Sequence, residues 1–496
     1  MDDDGVRLRY RFALMVTRIP PAMRLLAAAL LVASCGGKET GPISISAIGG
    51  SPRMANPNRE RLDPPSAILL EAAAQGLVRF DSGGEIEPAL AQRWVVSDDG
   101  LRYTFRLAKA SWRGGRITAD QVVARLRAAA APASRNPLRP VLGSIEEIVA
   151  MTDDVLEISL KSPRPNLLEL LAQPEMAIFR NGEGSGPYRA EPRPDGSIRL
   201  APVEAEREEG APSPPPFLLR GESAAVAVAR FGEGQADLVL GGTLADLPLA
   251  RAARAQAAQL SFDPVAGLFG LAFTASDGPF ARMETRQALA MAIDRDTLAV
   301  ALGVPGLRAR ESMLPPGIEG LAQVSAPAWI RDPLAVRQAR AASWLRDAGK
   351  GGRLTVRVAL PDGIGNRLLF ARLRRDWALV GIASLRVPAG APAELRLIDE
   401  VAPAGLASWY LRHFSCEASP VCDPAADEMM AAARIAPDAA SRRGLLANAD
   451  RILAGLGPFI PLTAPVRWSL VAPRLTGFRP NRFGRHPIGG LIREQL

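Results

Sequence analysis

Residues that could carry covalent or acid–base chemistry are few in this chain, and their spacing does not fit catalysis. The two histidines, His413 and His486, stand outside any metal-binding spacing such as H-E-x-x-H. The paired glycines lack the G-x-x-x-x-G-K-S/T pattern that cradles phosphate. Adjacent acidic residues such as Asp98 and Asp99 stand in turn-like contexts, where short carboxylates cap the backbone. The sequence therefore predicts neither an enzyme nor a protein with a cofactor or a metal site.

Two of the three cysteines stand close together near residue 420. In an exported protein a pair such as Cys416 and Cys422 forms a disulfide that closes a small loop. Two free thiols are the second interpretation. Metal binding is a further interpretation, but it needs more donors than His413, the one histidine nearby. We expect the disulfide.

The remaining cysteine, Cys35, ends an apolar segment near the start of the chain. Residues 23–34 (MRLLAAALLVAS) are apolar after Arg24. An apolar run of about ten residues is typical of a signal peptide and is too short to span a bilayer. The small residues before Cys35 resemble a lipobox, in which the cysteine thiol accepts a diacylglycerol. The other interpretation is an ordinary signal peptide in which this cysteine is incidental.

These features predict where the protein is found. The acidic start of the chain does not suit a signal peptide, so Met15 or Met23 is an alternative start. We expect residues 1–34 to be the signal peptide and residues 35–41 to be a polar tether that begins at lipidated Cys35. The protein would then lie in the periplasm or cell envelope, anchored to the membrane by its lipid.

The composition is that of a globular protein of more than one domain. The chain has 496 residues, of which 48% are hydrophobic and 23% are charged. The net charge of +8 and the isoelectric point near 10.0 raise the question of nucleic-acid binding. The basic residues are scattered among acidic ones, without a basic block or a row of aromatic residues. We therefore expect no nucleic-acid partner.

One stretch, residues 76–123, has the clearest local signals. It holds three strand-like runs: residues 76–80, 92–96 and 101–107. The turn signals DSGG and SDDG separate these runs, because glycine supplies the positive φ that tight connections need. Thr118 stands three residues before Gln121, which is a capping-box spacing, and an apolar helical run follows. The stretch predicts a small β-rich unit that leads into a helix.

This stretch also resembles the signature of the family 5 extracellular solute-binding proteins. These are the peptide- and nickel-binding proteins of bacterial ABC importers. The residues that match the family pattern are Gly76, Leu77, Asp81, Pro88, Leu90, Ala91, Trp94, Ser97, Asp98, Asp99, Gly100, Tyr103, Phe105, Leu107, Thr118, Ala119, Asp120 and Val122. A match of this length is far more specific than a short motif.

Later segments extend the resemblance toward the C-terminus. Residues 184–189 (GSGPYR) resemble the family's G-T-G-P-Y run, and residues 279–295 resemble its P-F … A-L-x-x-A-I-D-R run. Residues 458–462 (PFIPL) and 475–478 (LTGF) resemble the C-terminal P-x-I-P-L … G-F pattern. The resemblance thus covers the chain from about residue 72 onward, with two gaps.

The resemblance implies an α/β, type II periplasmic-binding-protein fold. Two lobes are joined by two crossover strands and close on a ligand by hinge motion. An extra small α+β domain belongs to the first lobe. The implied boundaries are residues 42–62, 174–262 and 463–496 for lobe I, 63–173 for the extra domain, and 263–462 for lobe II.

Two further patterns concern the second lobe. Strand and helix signals alternate through residues 354–387, which predicts a mostly parallel sheet. Apolar residues recur with helical spacing in residues 283–296, which predicts one amphipathic helix.

Peptide-binding members of the family carry W-x-x-D-Y-x-D at the cleft, where an aspartate pairs with the peptide's α-ammonium. The corresponding residues here are 408–414 (SWYLRHF), in which no aspartate follows the tryptophan. We take Trp409, Tyr410 and Arg412 as candidate ligand-binding residues. A cation at Arg412 would repel an ammonium and attract a carboxylate or phosphate. The alternatives are a core position for Trp409 and a solvated cation at Arg412.

Two hypotheses about function follow from the resemblance. The first is a lipid-anchored, monomeric receptor that delivers a small solute, an oligopeptide by family default, to an ABC permease and ATPase. The second is an exported accessory lipoprotein of the same fold that acts as a sensor or assembly factor without transport. The family's nickel is bound as a chelate, and nothing in the sequence indicates a direct histidine site.

Overall fold

The computed structural model describes residues 41–112, 115–203, 214–253, 259–348 and 354–494. The predicted signal peptide, Cys35 and nearly all of the predicted tether lie outside these ranges. No helix within the ranges is long and apolar enough to cross a membrane.

Runs of strands are separated by single helices or by groups of helices along the chain. The strands are β1 Ile43–Ile48, β2 Val78–Phe80, β3 Ile86–Pro88, β4 Ala91–Val96, β5 Arg102–Leu107, β6 Ser111–Trp112, β7 Gly115–Arg116, β8 Ile145–Thr152, β9 Val155–Leu160, β10 Phe179–Arg180, β11 Glu183–Gly184, β12 Tyr188–Pro192, β13 Ile198–Pro202, β14 Phe217–Glu222, β15 Leu238–Thr243, β16 Leu260–Phe262, β17 Gly267–Phe273, β18 Thr355–Leu360, β19 Ala383–Pro388, β20 Leu395–Val401, β21 Phe459–Thr463, β22 Arg467–Val471, β23 Leu475–Thr476 and β24 Ile492–Arg493. The α-helices are α1 Pro64–Ala73, α2 Ala119–Ala130, α3 Leu167–Leu171, α4 Ala224–Gly232, α5 Leu247–Ala252, α6 Met283–Met291, α7 Arg295–Leu302, α8 Leu334–Ala348, α9 Ile364–Leu379, α10 Ala407–Arg412, α11 Pro424–Arg434 and α12 Ala439–Leu456.

The first large sheet has seven strands in the order β12-β13-β14-β1-β15-β22-β16. Strand β1 is parallel to both of its neighbours, and the outer pairs are antiparallel. Ile45 and Phe217 of this sheet share one core cluster with Leu69 of α1. The Asp63 carboxylate accepts a hydrogen bond from the Ser66 amide at 3.1 Å and so caps the start of α1. Helix α1 is therefore fixed against the seven-stranded sheet.

The second large sheet has five strands in the order β19-β18-β20-β17-β21. Strands β19, β18 and β20 are parallel, whereas β17 is antiparallel to both β20 and β21. The expectation of a mostly parallel sheet is therefore wrong. The alternating pattern of residues 354–387 covered only the parallel part of this sheet. The chain enters the sheet at β17 directly from the seven-stranded sheet, and from β21 it returns directly to that sheet.

The chain crosses between the two large sheets twice. After β16 it leaves the seven-stranded sheet and enters the five-stranded sheet at β17, and after β21 it returns to the seven-stranded sheet at β22. The links are short, residues 263–266 and 464–466. Two short links of this kind are the arrangement that hinge closure requires.

The stretch with the clearest sequence signals forms a four-stranded antiparallel sheet, β4-β5-β9-β8. Tyr103, Phe105 and Leu107 alternate into its core, as a period of two predicts. The carboxamide of Gln121 accepts from the Thr118 amide at 3.5 Å, at the start of α2. The first predicted strand run pairs elsewhere, as β2 with β3.

The predicted helix over residues 283–296 is two helices, α6 and α7. Asp294 interrupts the run because its carboxylate accepts from the Thr297 amide at 3.0 Å and so starts a new helix. The buried side chain of Arg295 donates to the carbonyl oxygen of Pro461 at 2.8 Å. The family-like A-I-D-R run therefore ends one helix and attaches the next to β21.

Candidate ligand-binding cleft

A cavity of about 320 Å³ is bordered by both large sheets, and we call it the cleft. Gly241 and Thr243 reach it from the end of β15, and residues 399–401 reach it from the end of β20. Residues at the start of α1 and residues 483–486 complete its wall. The volume lies within the range of small-ligand sites, roughly 300–1,000 Å³.

Strand β20 brings two carboxylates to the cleft, and both are paired. Asp399 accepts from the Arg467 guanidinium at 2.7 Å. Glu400 accepts from Arg61 at 2.9 Å and lies 3.3 Å from Nε2 of His413. Burial favours a higher pKa for Glu400, but the His413 hydrogen bond and the Arg61 charge outweigh it and lower this pKa to about 2. Glu400 is therefore ionised at neutral pH.

The opposite wall carries a second ionic group. The Arg485 guanidinium pairs with Glu175 at 3.2 Å and donates to the Gln173 carboxamide oxygen at 3.3 Å. Next to it, His486 lies 3.1 Å from the carboxylate of Asp263, which stands on the first link between the sheets. This wall is thus tied to the predicted hinge by an almost fully buried pair.

Glu71 of α1 differs from the other acidic residues in the cleft. No hydrogen bond or ion pair joins its carboxyl group to another residue in the described part of the chain. Burial raises the pKa of Glu71 to about 7, with Glu175 adding to the increase and Arg485 and His486 opposing it. Glu71 is therefore an acid that gains a favourable interaction if a cation enters the cleft.

A second cavity, of about 420 Å³, lies on the other side of Glu71. It shares Glu71 and Gln173 with the cleft, so the two spaces meet at this helix. Its own acidic residues are satisfied, because Glu87 pairs with Arg79 at 2.7 Å and Asp81 accepts backbone amides in its turn.

The structure separates the three candidate ligand residues. Trp409 lines the cleft and packs edge-on against His413, with the ring centres 4.6 Å apart. Tyr410 is buried outside the cleft wall, and burial raises its pKa to about 12, opposed by the charge of Arg310. Arg412 lies outside the cleft and lines a different cavity. Of the three, Trp409 alone stands where a cleft ligand would touch it.

The two later cysteines are adjacent in space. Their sulfur atoms lie 2.14 Å apart, on the loop between α10 and α11. Among the residues that the structure describes, no group of three or more metal-binding side chains comes together.

The sequence reasoning missed most residues of the cleft. Glu71 is the one charged residue in the apolar run of residues 64–74, and that isolation is a signal that could have marked it. Strand β20 was not predicted, although its LRLIDEV sequence alternates before two adjacent acids. Arg467 and Arg485 had no local signal, since their partners are far away in sequence.

Two sheets joined by two short links, with a cavity that both sheets border, define a clamp-type solute-binding protein. The family model described as "Bacterial extracellular solute-binding proteins, family 5 Middle" matches residues 85–383. The chain belongs to this family, whose members bind solutes and are not enzymes. The predicted family membership is confirmed.

Individual relatives agree with this assignment. A curated relative, the "Probable di/tripeptide-binding protein 5" of Pseudomonas aeruginosa (strain UCBPP-PA14), is 25% identical over 470 residues, which are 82% of this chain and 88% of that protein. Haemophilus influenzae OppA in complex with the peptide RPPGFSPFR matches with a TM-score of 0.78 at 19% identity, over 92% of this chain and 99% of that one.

A second solved structure has a similar fold. The Escherichia coli murein tripeptide binding protein MppA has a TM-score of 0.78 at 18% identity, over 92% of this chain and 99% of its own. These likenesses confirm the predicted fold class, a type II periplasmic-binding-protein fold.

Proposed function

We propose that this protein is the extracytoplasmic solute receptor of an ABC importer, and that it binds a peptide-like solute in the cleft. Closure about residues 263–266 and 464–466 encloses the solute, and the closed receptor delivers it to the permease and ATPase. Lipidated Cys35 anchors the receptor in the periplasm or cell envelope. The names of its relatives, which include di/tripeptide-, oligopeptide- and murein tripeptide-binding proteins, support this proposal.

The observation that carries the proposal is the unpaired carboxyl group of Glu71. Among the described residues, the other carboxylates that line the cleft and the second cavity have a cation or a backbone amide as partner: Asp63, Asp81, Glu87, Glu175, Asp399 and Glu400. A desolvated carboxylate recovers free energy when a cation pairs with it. The α-ammonium of a peptide supplies that cation without any need to recognise its side chains.

In this proposal Glu71 takes the role of the aspartate that the family motif contains and this chain lacks. Glu71 reaches the cleft from α1 on the seven-stranded sheet, whereas Trp409 and residues 399–401 reach it from the other side. An ammonium on Glu71 would therefore leave the rest of a short peptide between the two walls. Trp409 then provides an apolar surface for it.

The first experiment identifies the solute. The full chain is purified without denaturation and examined by native mass spectrometry, and we expect a co-purified mass that tandem fragmentation reads as a short peptide. Trialanine and N-acetyl-trialanine are then titrated by calorimetry into protein freed of that ligand. We expect trialanine to bind and the acetylated form, which lacks the ammonium, to bind at least about tenfold more weakly.

The variant Glu71→Gln tests the residue itself. We expect it to weaken trialanine binding by about tenfold or more, because the ionic partner of the peptide's ammonium is removed. Glu60→Gln is the matched control, since Glu60 is an acidic residue outside the cleft that pairs with exposed Arg53. Equal affinity of the two peptides, or an unaffected Glu71→Gln variant, contradicts the role given to Glu71.

A different outcome would favour the accessory lipoprotein. If the purified protein carries no small molecule and its gene lies apart from genes for two permeases and an ATPase, the result favours an accessory role without transport. Neighbouring permease and ATPase genes would favour the receptor.

A further inference from the structure

A cavity outside the cleft is lined by four arginines. Arg164 precedes α3, Arg412 ends α10, Arg434 ends α11, and Arg442 lies in the first turns of α12. The cavity therefore lies where the segment that follows β9 of the four-stranded sheet meets the three helices between β20 and β21 of the five-stranded sheet. It shares no lining residue with the cleft.

The acidic residues near this cavity are too few to neutralise it. Arg442 pairs with Glu319, and both side chains are almost fully buried. Arg412 and Arg434 make no hydrogen bond or salt bridge through their guanidinium groups to any described residue. The carboxylates that face Arg412 at longer range are Glu417 and Asp427, and the additional cations that face the cluster are Arg139 and Arg443. Cations therefore outnumber anions by six to three.

Several donors in the cavity have no acceptor. Nη1 of Arg164 and Nε of Arg434 are buried without a hydrogen-bond partner. Arg164 uses another of its donors, Nη2, on the backbone carbonyl oxygen of Arg434 at 3.1 Å, and this contact attaches the Arg164 side chain to the end of α11. A buried guanidinium donor without an acceptor costs free energy, and a negative charge nearby offsets part of that cost.

The arginines also repel one another. Burial, and to a smaller extent a neighbouring arginine, lowers the pKa of Arg164, Arg412 and Arg442 to about 10. All three remain charged at neutral pH. Polar side chains that can donate to an anion, Ser144, Asn166 and Ser408, line the same cavity.

We propose that this cavity is a binding site for a small oxyanion, with phosphate, sulfate or a carboxylate as the chemical class. Arg412 and Arg434 offer guanidinium groups without a hydrogen-bond or ionic partner among the described residues from one side, and Arg164 adds its positive charge from the other. Planar guanidinium groups bind such oxyanions with two parallel hydrogen bonds. The bound anion joins the two parts of the chain that meet here.

The test uses inorganic phosphate and the full chain. Thermal unfolding is followed while phosphate replaces chloride at constant ionic strength, and phosphate binding is measured by calorimetry. We expect a saturable rise in Tm, because a ligand that binds only the folded state stabilises it. Sulfate and acetate are run as separate arms to rank the oxyanions.

Arg412→Gln is the decisive variant, and Arg374→Gln is its matched control because Arg374 is exposed on α9. We expect Arg412→Gln to weaken phosphate binding at least tenfold and Arg374→Gln to leave it unchanged. In phosphate-free buffer, Arg412→Gln should have a Tm no lower than that of the unmodified protein, because one repelling charge is gone. Arg412→Lys should bind phosphate with intermediate affinity.

Two results overturn the proposal. One is a Tm that rises equally in both glutamine variants, which would mean a general salt effect. The other is the absence of any saturable effect of phosphate, sulfate or acetate on the unmodified protein. If Arg412→Gln does not fold, as judged by circular dichroism, Arg434→Gln takes its place with the same expected outcomes.

Discussion

The cleft and the cavity lined by four arginines, which we call the arginine cavity, have charge imbalances of opposite sign. In the cleft most carboxylates have a basic side chain or a backbone amide as partner, as Asp399 with Arg467 and Glu175 with Arg485, and Glu71 has neither in the part of the chain that the structure describes. In the arginine cavity Glu319 pairs with Arg442, and the guanidinium groups of the other arginines have no ionic partner among the described residues.

This difference tells us what each space lacks. A charge that is withdrawn from water without a partner is costly, so an ion of the opposite sign would stabilise each space. This is why we propose a cation as the ligand group for the cleft and an anion for the arginine cavity. The net charge of the whole chain could not have shown this, because the two imbalances have opposite signs.

The largest expected effect is on the arginine cavity. Glu319 pairs with Arg442 and also accepts from the amide of Ala407 at 2.7 Å, at the start of α10. In Glu319→Gln the pair loses its negative charge, and we expect the free energy of unfolding to fall by about 3 kcal/mol. Urea denaturation measures it.

Phosphate and a control variant sharpen this prediction. Phosphate should restore part of the stability lost in Glu319→Gln, because it supplies the missing negative charge. Glu60→Gln, which breaks an exposed pair with Arg53, should cost less than about 1 kcal/mol. A loss in Glu319→Gln no larger than in this control would mean that the arginines do not need Glu319.

The next effect concerns the loop between two helices that carry arginines of the cavity. Cys416 and Cys422 lie between α10 and α11, and their sulfur atoms are adjacent. If they are bonded, removal of the bond in the double variant Cys416→Ser, Cys422→Ser should lower the free energy of unfolding by about 2 kcal/mol, given the short loop. Ellman titration of the untreated, denatured protein should detect neither thiol. Two free thiols would rule the bond out.

The parts of the fold that the sequence predicted are those with strong local patterns. The antiparallel sheet around Tyr103 and Phe105 follows from alternation and glycine turns, and α2 follows from the cap at Thr118. Gly184 and Gly186, which resemble a family motif, pack so closely on Ala72 and Ala73 at the end of α1 that a side chain there would collide with the backbone. The antiparallel sheet and the helix cap depend on short stretches of chain, whereas the close packing of the two glycines joins segments that are far apart in sequence.

The sites depend on residues that only the folded chain brings together. Glu71 and Arg485 lie near each other although more than 400 positions separate them in sequence, so no local pattern pairs them.

Arg412 illustrates a second limit of sequence-based prediction. It stands three residues after Trp409 in α10, which turns it by about 60° around the helix. Because α10 separates the two cavities, this turn places Trp409 in the cleft and Arg412 in the arginine cavity.

The smallest expected effect is the pH dependence of ligand binding in the cleft. A ligand ammonium pairs with ionised Glu71, whose pKa is raised to about 7 in the free protein. Glu71 is therefore mostly protonated at pH 5.5, and binding must first remove that proton. We expect trialanine to bind roughly twentyfold more weakly at pH 5.5 than at pH 7.5. Above about pH 8 the affinity should fall again, because the peptide's own ammonium loses its proton.

Variants separate Glu71 from its charged neighbours. The charged groups that share the two cavities with it are Arg61, Asp63, Arg79, Asp81, Glu87, Glu175, Asp399, Glu400, Arg467, Arg485 and His486. Histidine is the other side-chain type that commonly changes charge in this range, so the profile is repeated with His486→Gln. Glu71→Gln should remove most of the dependence below pH 7, and His486→Gln should keep it. The opposite pattern would assign the pH dependence to His486 and leave the cleft without a proven site for a cation.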